Sequence, residues 1–373
     1  MDSKKAKIII EEFLAQADIH INGRAPWDMQ IFNEGIFSAA LRGGSLEIGK
    51  AYMDHWWDCL KLDEFYNRIL RLSLENELPK TWKEKIGIFL NRLFNFQTVS
   101  MALKSVQKHY DLGNDLFINM LDKRLIYTCA YWKDAATLDE AQEKKLDLTC
   151  LKLNLRPGMR LLDIGCGWGS FARFAAEKYD AVVTGITLSE EQLVFGRKLC
   201  AGLSVDFQLL DYRRITGKFD RIVSLGMFEH VGSKNYLTYM KTVHRCLADD
   251  GLFLLHTIGG NVTRTWTDPW LDQYIFPGSM LPSIKQIGSA IEGLFVMEDW
   301  HNFSADYDKT LMAWHQNFIT NWKQLRDYYD DKFYRMWNYY LLSCAGSFRA
   351  RKNQLWQIVL SKNGVPGGYV SIR

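Results

Sequence analysis

The stretch Leu161-Leu162-Asp163-Ile164-Gly165-Cys166-Gly167-Trp168-Gly169-Ser170 constrains this chain more than any other ten residues. The apolar run from Arg160 to Ile164 predicts a buried strand, the glycines at i, i+2 and i+4 predict a tight turn, and a helix follows from about Ser170. Three glycines let the backbone approach a ligand closely, and Asp163 closes the strand with a carboxylate. This geometry suits a nucleotide-like ligand at the carboxyl end of a parallel strand. The spacing is Gly-x-Gly-x-Gly, not the Gly-x-Gly-x-x-Gly of a dinucleotide site. With no pyrophosphate to seat on the helix N-terminus, an adenosyl cofactor such as S-adenosylmethionine fits better than a nicotinamide dinucleotide. A purely structural turn is the alternative reading of these ten residues alone.

From Arg160 onward the pattern alternates. Strands are expected at 160–164, 182–186, 205–210, 219–225, 251–256, 295–302 and 355–360, with crossover helices at 188–201, 235–248 and 283–293. This order predicts an α/β fold with a doubly wound, Rossmann-like sheet. Ligands of such sheets collect beyond the carboxyl ends of the strands. Those ends carry Asp163 and the glycine turn, then Thr187-Leu188-Ser189-Glu190-Glu191-Gln192, Asp211-Tyr212, Gly226-Met227-Phe228-Glu229-His230, and His256-Thr257-Ile258. Asp211 is placed to accept from an adenine amine, or else simply forms a turn. Thr187, Ser189 and Gln192 stand where many methyltransferases offer a ribose-binding acid. Glu229 and His256 end adjacent strands, as a proton-handling or anion-holding pair; a helix cap and a satisfied core imidazole are the competing readings.

The region before the sheet differs. Residues 3–78 read mostly as helices with Trp56 and Trp57 as core anchors and turns at Gly43, Gly44 and Gly49. Residues 1–77 carry 9 Lys or Arg against 13 Asp or Glu, a net charge of −4, whereas residues 78–108 carry Lys80, Lys83, Lys85, Arg92, Lys104 and Lys108 against Glu84 alone, a net of +5. Trp82, Ile86, Phe89, Leu90 and Leu93 recur there at helical spacing, the pattern either of a basic amphipathic helix in a bilayer interface or of a packed linker helix. The expected division is a helical domain at 1–78 that binds lipid, a basic linker at 79–105 and a catalytic domain at 106–373.

An overall charge of +3 gives no argument for nucleic acid. Seven cysteines without CxxC spacing fit a reducing cytosol rather than a disulfide framework, and no zinc-ligand spacing is present. No signal-peptide pattern and no apolar run of spanning length occurs, which points to a soluble or surface-bound protein. Between Trp300 and Tyr340 lie 13 aromatic residues in 41. Most must be core, and some could line a pocket for a long acyl chain or face a cationic intermediate.

His109-Tyr110-Asp111-Leu112-Gly113-Asn114, Tyr127-Thr128-Cys129-Ala130-Tyr131-Trp132, the Leu162–Gly169 turn, the GMFEHVG and LHTIG strand ends, Cys344-Ala345-Gly346 and the upstream Gly44–Cys59 segment occur in order along the chain. Together they resemble the bacterial cyclopropane-fatty-acid synthases, over nearly the whole length; the mycolic-acid enzymes are similar to the catalytic part only. The resemblance implies a class I methyltransferase sheet and transfer of a methylene from S-adenosyl-L-methionine across the cis double bond of a phospholipid acyl chain. The implied route is a carbocation, with bound bicarbonate as the base; a small-molecule or branched-lipid methyltransferase is the alternative. It implies that Cys129, Glu229, His256, the backbone at Ile258, and Tyr307 hold the bicarbonate. Tyr127, Thr128, Asp163, Gly165, Cys166, Gly167, Gly169, Thr187, Leu188, Ser189, Gln192, Asp211 and Tyr212 would contact the cofactor. Cys344 matches a cysteine marked as active in the family, although no step needs a covalent thiol. A homodimer, cytoplasmic and peripheral on the inner face of the membrane, completes what the resemblance implies.

The basic segment generates a direct expectation. The protein binds anionic phospholipid vesicles more tightly than neutral ones, and the difference shrinks with added salt; co-sedimentation that is equal at every salt concentration would remove the electrostatic role.

Overall fold

The computed structural model describes residues 3–72 and 113–373. The expected basic linker at 79–105 and the His109–Leu112 part of the family motif lie outside the described residues. The chain divides into two compact units, one holding 3–72, 266–277 and 307–353, the other 113–265, 278–306 and 354–373. The sequence division had assigned everything after residue 106 to one domain. The structure instead groups the aromatic-rich segment 307–353 with the N-terminal helices, for reasons visible in its packing.

The first unit is helical. Its elements are α1 (Ser3–Gln16), α2 (Gly35–Met53), α3 (Leu62–Arg71) and a short pair of strands, β1 (Gln30–Ile31) and β2 (Trp57–Asp58). Trp57 is fully buried, as expected of an anchor, whereas Trp56 is only half-buried. The expected turns at Gly43 and Gly49 are helical, and only Gly44 kinks α2, at φ 55°. Two long helices from later in the chain, covering most of Ala305–Leu325 and Asp331–Arg349, complete the unit. Arg335 enters it almost wholly buried, donating to Tyr52 O at 2.6 Å, Trp57 O at 3.0 Å and Asp58 Oδ2 at 3.0 Å. Such charge-assisted bonds to main-chain carbonyls satisfy a guanidinium that the interior would otherwise exclude.

Aromatic rings interlock around that contact. Tyr339 lies 5.3 Å from Tyr52 and 4.5 Å from Trp270, while Phe333 stacks on Trp337 at 5.6 Å. These rings place part of the aromatic density read from the sequence in the core of the helical unit, whereas Trp300 and Phe303 pack in the sheet unit. Gly346 lets the last helix touch α3: a Cβ there would lie 2.4 Å from Asp63 O.

The second unit contains a seven-stranded sheet. In chain order its strands are β3 (Arg160–Ile164), β4 (Val182–Thr187), β5 (Val205–Leu209), β6 (Phe219–Leu225), β7 (Leu247–Gly260), β8 (Val296–Asn302) and β9 (Asn353–Ser361). In space they run β5-β4-β3-β6-β7-β9-β8. Strands β3 to β7 pair in parallel, and β8 pairs with β9 antiparallel. The α/β expectation is met, with the expected strands displaced by a few residues at their ends. β7 is the main exception, running 14 residues where six were expected. The order of strands reverses direction at β3 and β6, so the topological switch point lies between Asp163 and Gly226, where doubly wound sheets bind ligands.

Helices named here α4 (Asn114–Met120), α5 (Leu138–Lys152), α6 (Ser170–Tyr179), α7 (Glu190–Leu199) and α8 (Tyr236–Cys246) accompany the sheet. α5 starts at a capping box in which Thr137 accepts from the Glu140 N–H and Glu140 from the Thr137 N–H.

Replacing Gly346 with Ala should cost about 1–3 kcal/mol of stability, the usual range for overpacking a closed contact. Urea unfolding of the variant measures this, and an unchanged midpoint would contradict the close approach of the two helices.

Candidate active site

The switch point opens into a cleft of about 1300 Å³, its mouth included, lined from the carboxyl ends of β3, β4, β6 and the segment after β5. Tyr127, Thr128, Asp163, Gly165, Cys166, Gly167, Thr187, Leu188, Gln192, Asp211 and Tyr212 all border it. Eleven of the thirteen residues expected at a cofactor therefore converge on one cavity. The two others act behind it. Gly169 takes φ 84° to begin α6, and a Cβ there would lie 2.4 Å from Phe207 Cζ. Ser189 caps α7 by accepting from the Gln192 N–H at 3.3 Å.

The polar groups of the cleft are partly committed already. Thr187 Oγ1 donates to Gln192 Oε1 at 2.9 Å and accepts from the Ser189 N–H at 3.1 Å. Asp211 forms the expected turn, accepting the Arg213 N–H at 2.9 Å, and its two oxygens also take the Arg213 guanidinium at 2.8 and 2.7 Å. Burial raises the Asp211 carboxyl, but Arg213 outweighs burial and holds it below its ordinary value. Asp211 thus meets a ligand as a fixed anion.

Beneath the glycine turn lies a residue that the sequence reading missed. Lys145 is fully buried at the edge of the cleft and donates to Thr128 Oγ1 at 2.9 Å. Gln142, one turn earlier, donates to Thr128 O at 2.9 Å. Burial pushes Lys145 down to about 8 against the pull of Asp122, Cys129 and Asp163, and burial pushes Asp163 up to about 7 against Lys145. Asp163 Oδ2 is buried with no hydrogen-bond partner. In the sequence Lys145 is one of two adjacent lysines in a charged helical run, and a capped helix with polar residues at 142, 145, 149 and 152 was the available sign of a buried polar face.

Glu229, His256, Cys129 and Ile258 do not border this cleft; they lie in the same unit, Glu229 just after β6, His256 and Ile258 within β7, and Cys129 in the segment before α5. Glu229 Oε1 accepts the Ile258 N–H at 2.7 Å. The Ile258 carbonyl accepts the Thr257 hydroxyl at 3.0 Å. The Ile258 N–H is therefore engaged by Glu229, and its carbonyl is the backbone group left to share. His256 packs its ring edge on Phe303 at 5.8 Å, and Gln357 Nε2 reaches its Nδ1 at 3.4 Å. Burial, then Lys145 and Lys152, drive the imidazole well below its ordinary value, so it is neutral. Cys129 is fully buried, with Sγ 3.1 Å from Ala130 O. No hydrogen bond joins Glu229 to His256; each instead holds one buried, unpartnered atom, Oε2 and Nε2.

Tyr307 and Cys344 belong to the helical unit. Tyr307 stacks on Phe348 at 4.4 Å, and burial pushes the Cys344 thiol up to about 12, the opposite of what a reactive thiolate requires. Among the described residues no group of acidic, histidine and cysteine side chains could hold a metal ion, and no helix is long and apolar enough to cross a membrane.

The comparisons agree with this geometry. The family model described as mycolic acid cyclopropane synthetase matches residues 97–358. The chain belongs to this family. Its relatives include the cyclopropane-fatty-acyl-phospholipid synthase of Escherichia coli strain K12, 52% identical over 96% of this chain and 94% of that protein. A probable fatty acid methyltransferase of Pseudomonas putida is 39% identical over 69% of each chain. Among solved structures, the cyclopropane synthase MmaA2 from Mycobacterium tuberculosis aligns with a TM-score of 0.65 at 33% identity, covering 70% of this chain and 98% of that one. The mycolic acid cyclopropane synthase CmaA1, complexed with SAH and CTAB, aligns equally well at 36% identity over the same shares. The synthetase-family chain therefore has the class I S-adenosylmethionine-dependent methyltransferase fold.

Glu229 carries a measurable cost. Burial lifts its carboxyl from 4.5 to about 7, so the folded protein holds a proton that the unfolded chain releases between those values. Stability then falls as pH rises through that window. Glu229→Gln keeps the bond from Ile258 and removes the charge; urea unfolding at pH 8 should show a gain of about 1–3 kcal/mol that vanishes near pH 4.

Proposed function

We propose that this protein is a cyclopropane-fatty-acyl-phospholipid synthase, moving a methylene from S-adenosyl-L-methionine onto the cis double bond of a phospholipid acyl chain. The observation that carries the reading is the match to the Escherichia coli synthase over 96% of the chain. In this reading Tyr127, Thr128, Asp163, the glycine turn, Thr187, Leu188, Ser189, Gln192, Asp211 and Tyr212 bind or support the cofactor. Asp211, charged and fixed by Arg213, accepts from the adenine amine while Gln192 and Thr187 serve the ribose.

The cofactor supplies an electrophilic methyl group, and bicarbonate supplies a mild base that removes a proton from the alkylated chain before the ring closes. The residues fit such an anion. Glu229 Oε2 and His256 Nε2 are buried without partners, a state worth about 1–3 kcal/mol of instability per group unless a ligand meets it. With its carboxyl raised to about 7, Glu229 can carry the proton that lets Oε2 donate. Neutral His256 offers its second nitrogen without adding a charge to an apolar site. A neutral alkene is a weak nucleophile, so rate depends on alignment and on keeping water away from the cation. Cys129 completes the anion site in this reading, with the Ile258 carbonyl, while Tyr307 and Cys344 contribute packing within the helical unit. The net +5 segment at 78–108 supports peripheral attachment to the inner membrane face, and a cytoplasmic homodimer is part of the same reading.

A methyl-branched lipid product is the second reading, favoured by the similarity to a probable fatty acid methyltransferase. One assay separates them. Incubated with S-adenosylmethionine and vesicles of cis-unsaturated phospholipid, the protein should yield acyl chains one CH₂ heavier that give cyclopropane ring signals in proton NMR. Branched chains without a ring would select the second reading, and untouched lipid would reject both. In the same assay Glu229→Gln should lower kcat by roughly 100-fold or more, as loss of proton handling does, and Cys344→Ala by less than about tenfold. The reverse ranking would overturn these roles.

A further inference from the structure

Gln357 and Thr149 form a hydrogen-bond chain behind His256 whose proton arrangement has only one consistent solution. Thr149, on α5, lies 2.7 Å from the carbonyl of Lys145, and between a hydroxyl and a carbonyl only the hydroxyl can donate. With its proton spent, Thr149 Oγ1 can only accept from the Gln357 side chain 3.2 Å away, so the group facing it is the amide NH₂. That nitrogen's second proton points at His256 Nδ1, 3.4 Å away, which must then be the bare, accepting nitrogen. All three side chains are at most 1% exposed, so water does not rearrange the chain. A neutral imidazole has one N–H; with Nδ1 accepting, it resides on Nε2, the buried atom that has no partner.

We infer that Gln357, braced by Thr149, is a positioning residue that fixes His256 as the Nε2–H tautomer, so that His256 presents a hydrogen-bond donor where the proposed synthase holds its anion. Neither residue was singled out by the sequence, and neither touches the cofactor cleft. The strand order fits the arrangement: Gln357 lies on β9, the neighbour of the strand that carries His256, and α5 supplies Thr149. The functional half of the inference rests on the anion-holding role proposed for His256; the tautomer itself does not.

The test reads the tautomer directly. In protein labelled with ¹⁵N-histidine, the His256 signals, identified by their loss in His256→Asn, should show a proton on Nε2 and a bare Nδ1. Gln357→Glu replaces the donor with an acceptor and should move the proton to Nδ1; Gln357→Met should leave a mixture. Thr149→Val, which keeps the side-chain shape and frees the amide to turn, should also give a mixture, and Thr149→Ser should restore the wild-type signals. In the lipid assay Gln357→Met should lower kcat by about 10- to 100-fold with the KM for S-adenosylmethionine unchanged, the range for outer-shell partners of a histidine. Gln357→Glu should lose more, as when a histidine is held in the wrong tautomer. A wild-type proton on Nδ1, or a tautomer unmoved in Gln357→Glu and Thr149→Val, would overturn the inference. Absence of lipid turnover in the wild type would instead reject the proposed function and leave the tautomer result standing.

Discussion

Four polar side chains of α5 enter the interior at helical spacing, and the site depends on what they hold. Gln142, Lys145, Thr149 and Lys152 are all fully buried. Gln142 and Lys145 tie down Thr128 from its carbonyl and its hydroxyl. Thr149 fixes the amide of Gln357, and Lys152 Nζ lies 2.9 Å from His301 Nδ1 on β8. One helix face thereby reaches the Tyr127–Cys129 segment and two neighbouring strands of the sheet. Burying that many polar groups is tolerable because each of the four side chains is hydrogen-bonded, although the amide oxygens of Gln142 and Gln357 stay unpartnered, and the bonds made favour one arrangement of the strand ends. A Leu-lined face would pack the helix as well but would leave Thr128 and Gln357 free to rotate.

The sheet was legible because its cues are local. A strand such as Leu161–Ile164 that ends at glycines with positive φ has few alternatives, and the crossover helices between β3 and β7 follow from period and length. The rim was legible for the same reason: once the strands are placed, their carboxyl ends are known, and eleven of thirteen expected cofactor residues border one cleft. Residue burial was harder to read. Nothing in Glu143-Lys144-Lys145 says which lysine turns inward, since a charged run on a helix reads as a solvated face. The helical unit was mis-divided because it is assembled from distant segments. Arg335 reaches the carbonyls of Tyr52 and Trp57, 283 and 278 positions earlier, a contact no window of sequence contains.

The bond between Glu229 and Ile258 is a further contact that no stretch of sequence shows. The resemblance implied that Glu229 and the Ile258 backbone hold one anion, and the structure joins the two directly by a 2.7 Å bond. That bond orients the Glu229 carboxyl and uses one of its oxygens, which is why only Oε2 stands unpartnered. The isolation of His256 Nε2 follows from Gln357 in the parallel way. Two residues with different chemistry are each bound on one side and open on the other, an arrangement that rigid backbone and side-chain partners produce more readily than two free rotamers do.

Burial also draws the proton affinities of this interior together. Acids rise, Asp163 and Glu229 both to about 7, while bases fall, Lys145 to about 8 and Lys152 to about 7. His256 falls further and stays neutral. Burial thus disfavours the charged form of each of these groups. For the proposed chemistry, which would pass through a cation, this matters. A permanent carboxylate beside the acyl chain would draw in water, and a permanent ammonium would oppose the positive charge. In the proposed synthase, donors and acceptors poised near neutrality would orient an anion and remain in a dry site, so the desolvation that costs the fold stability would also serve the reaction.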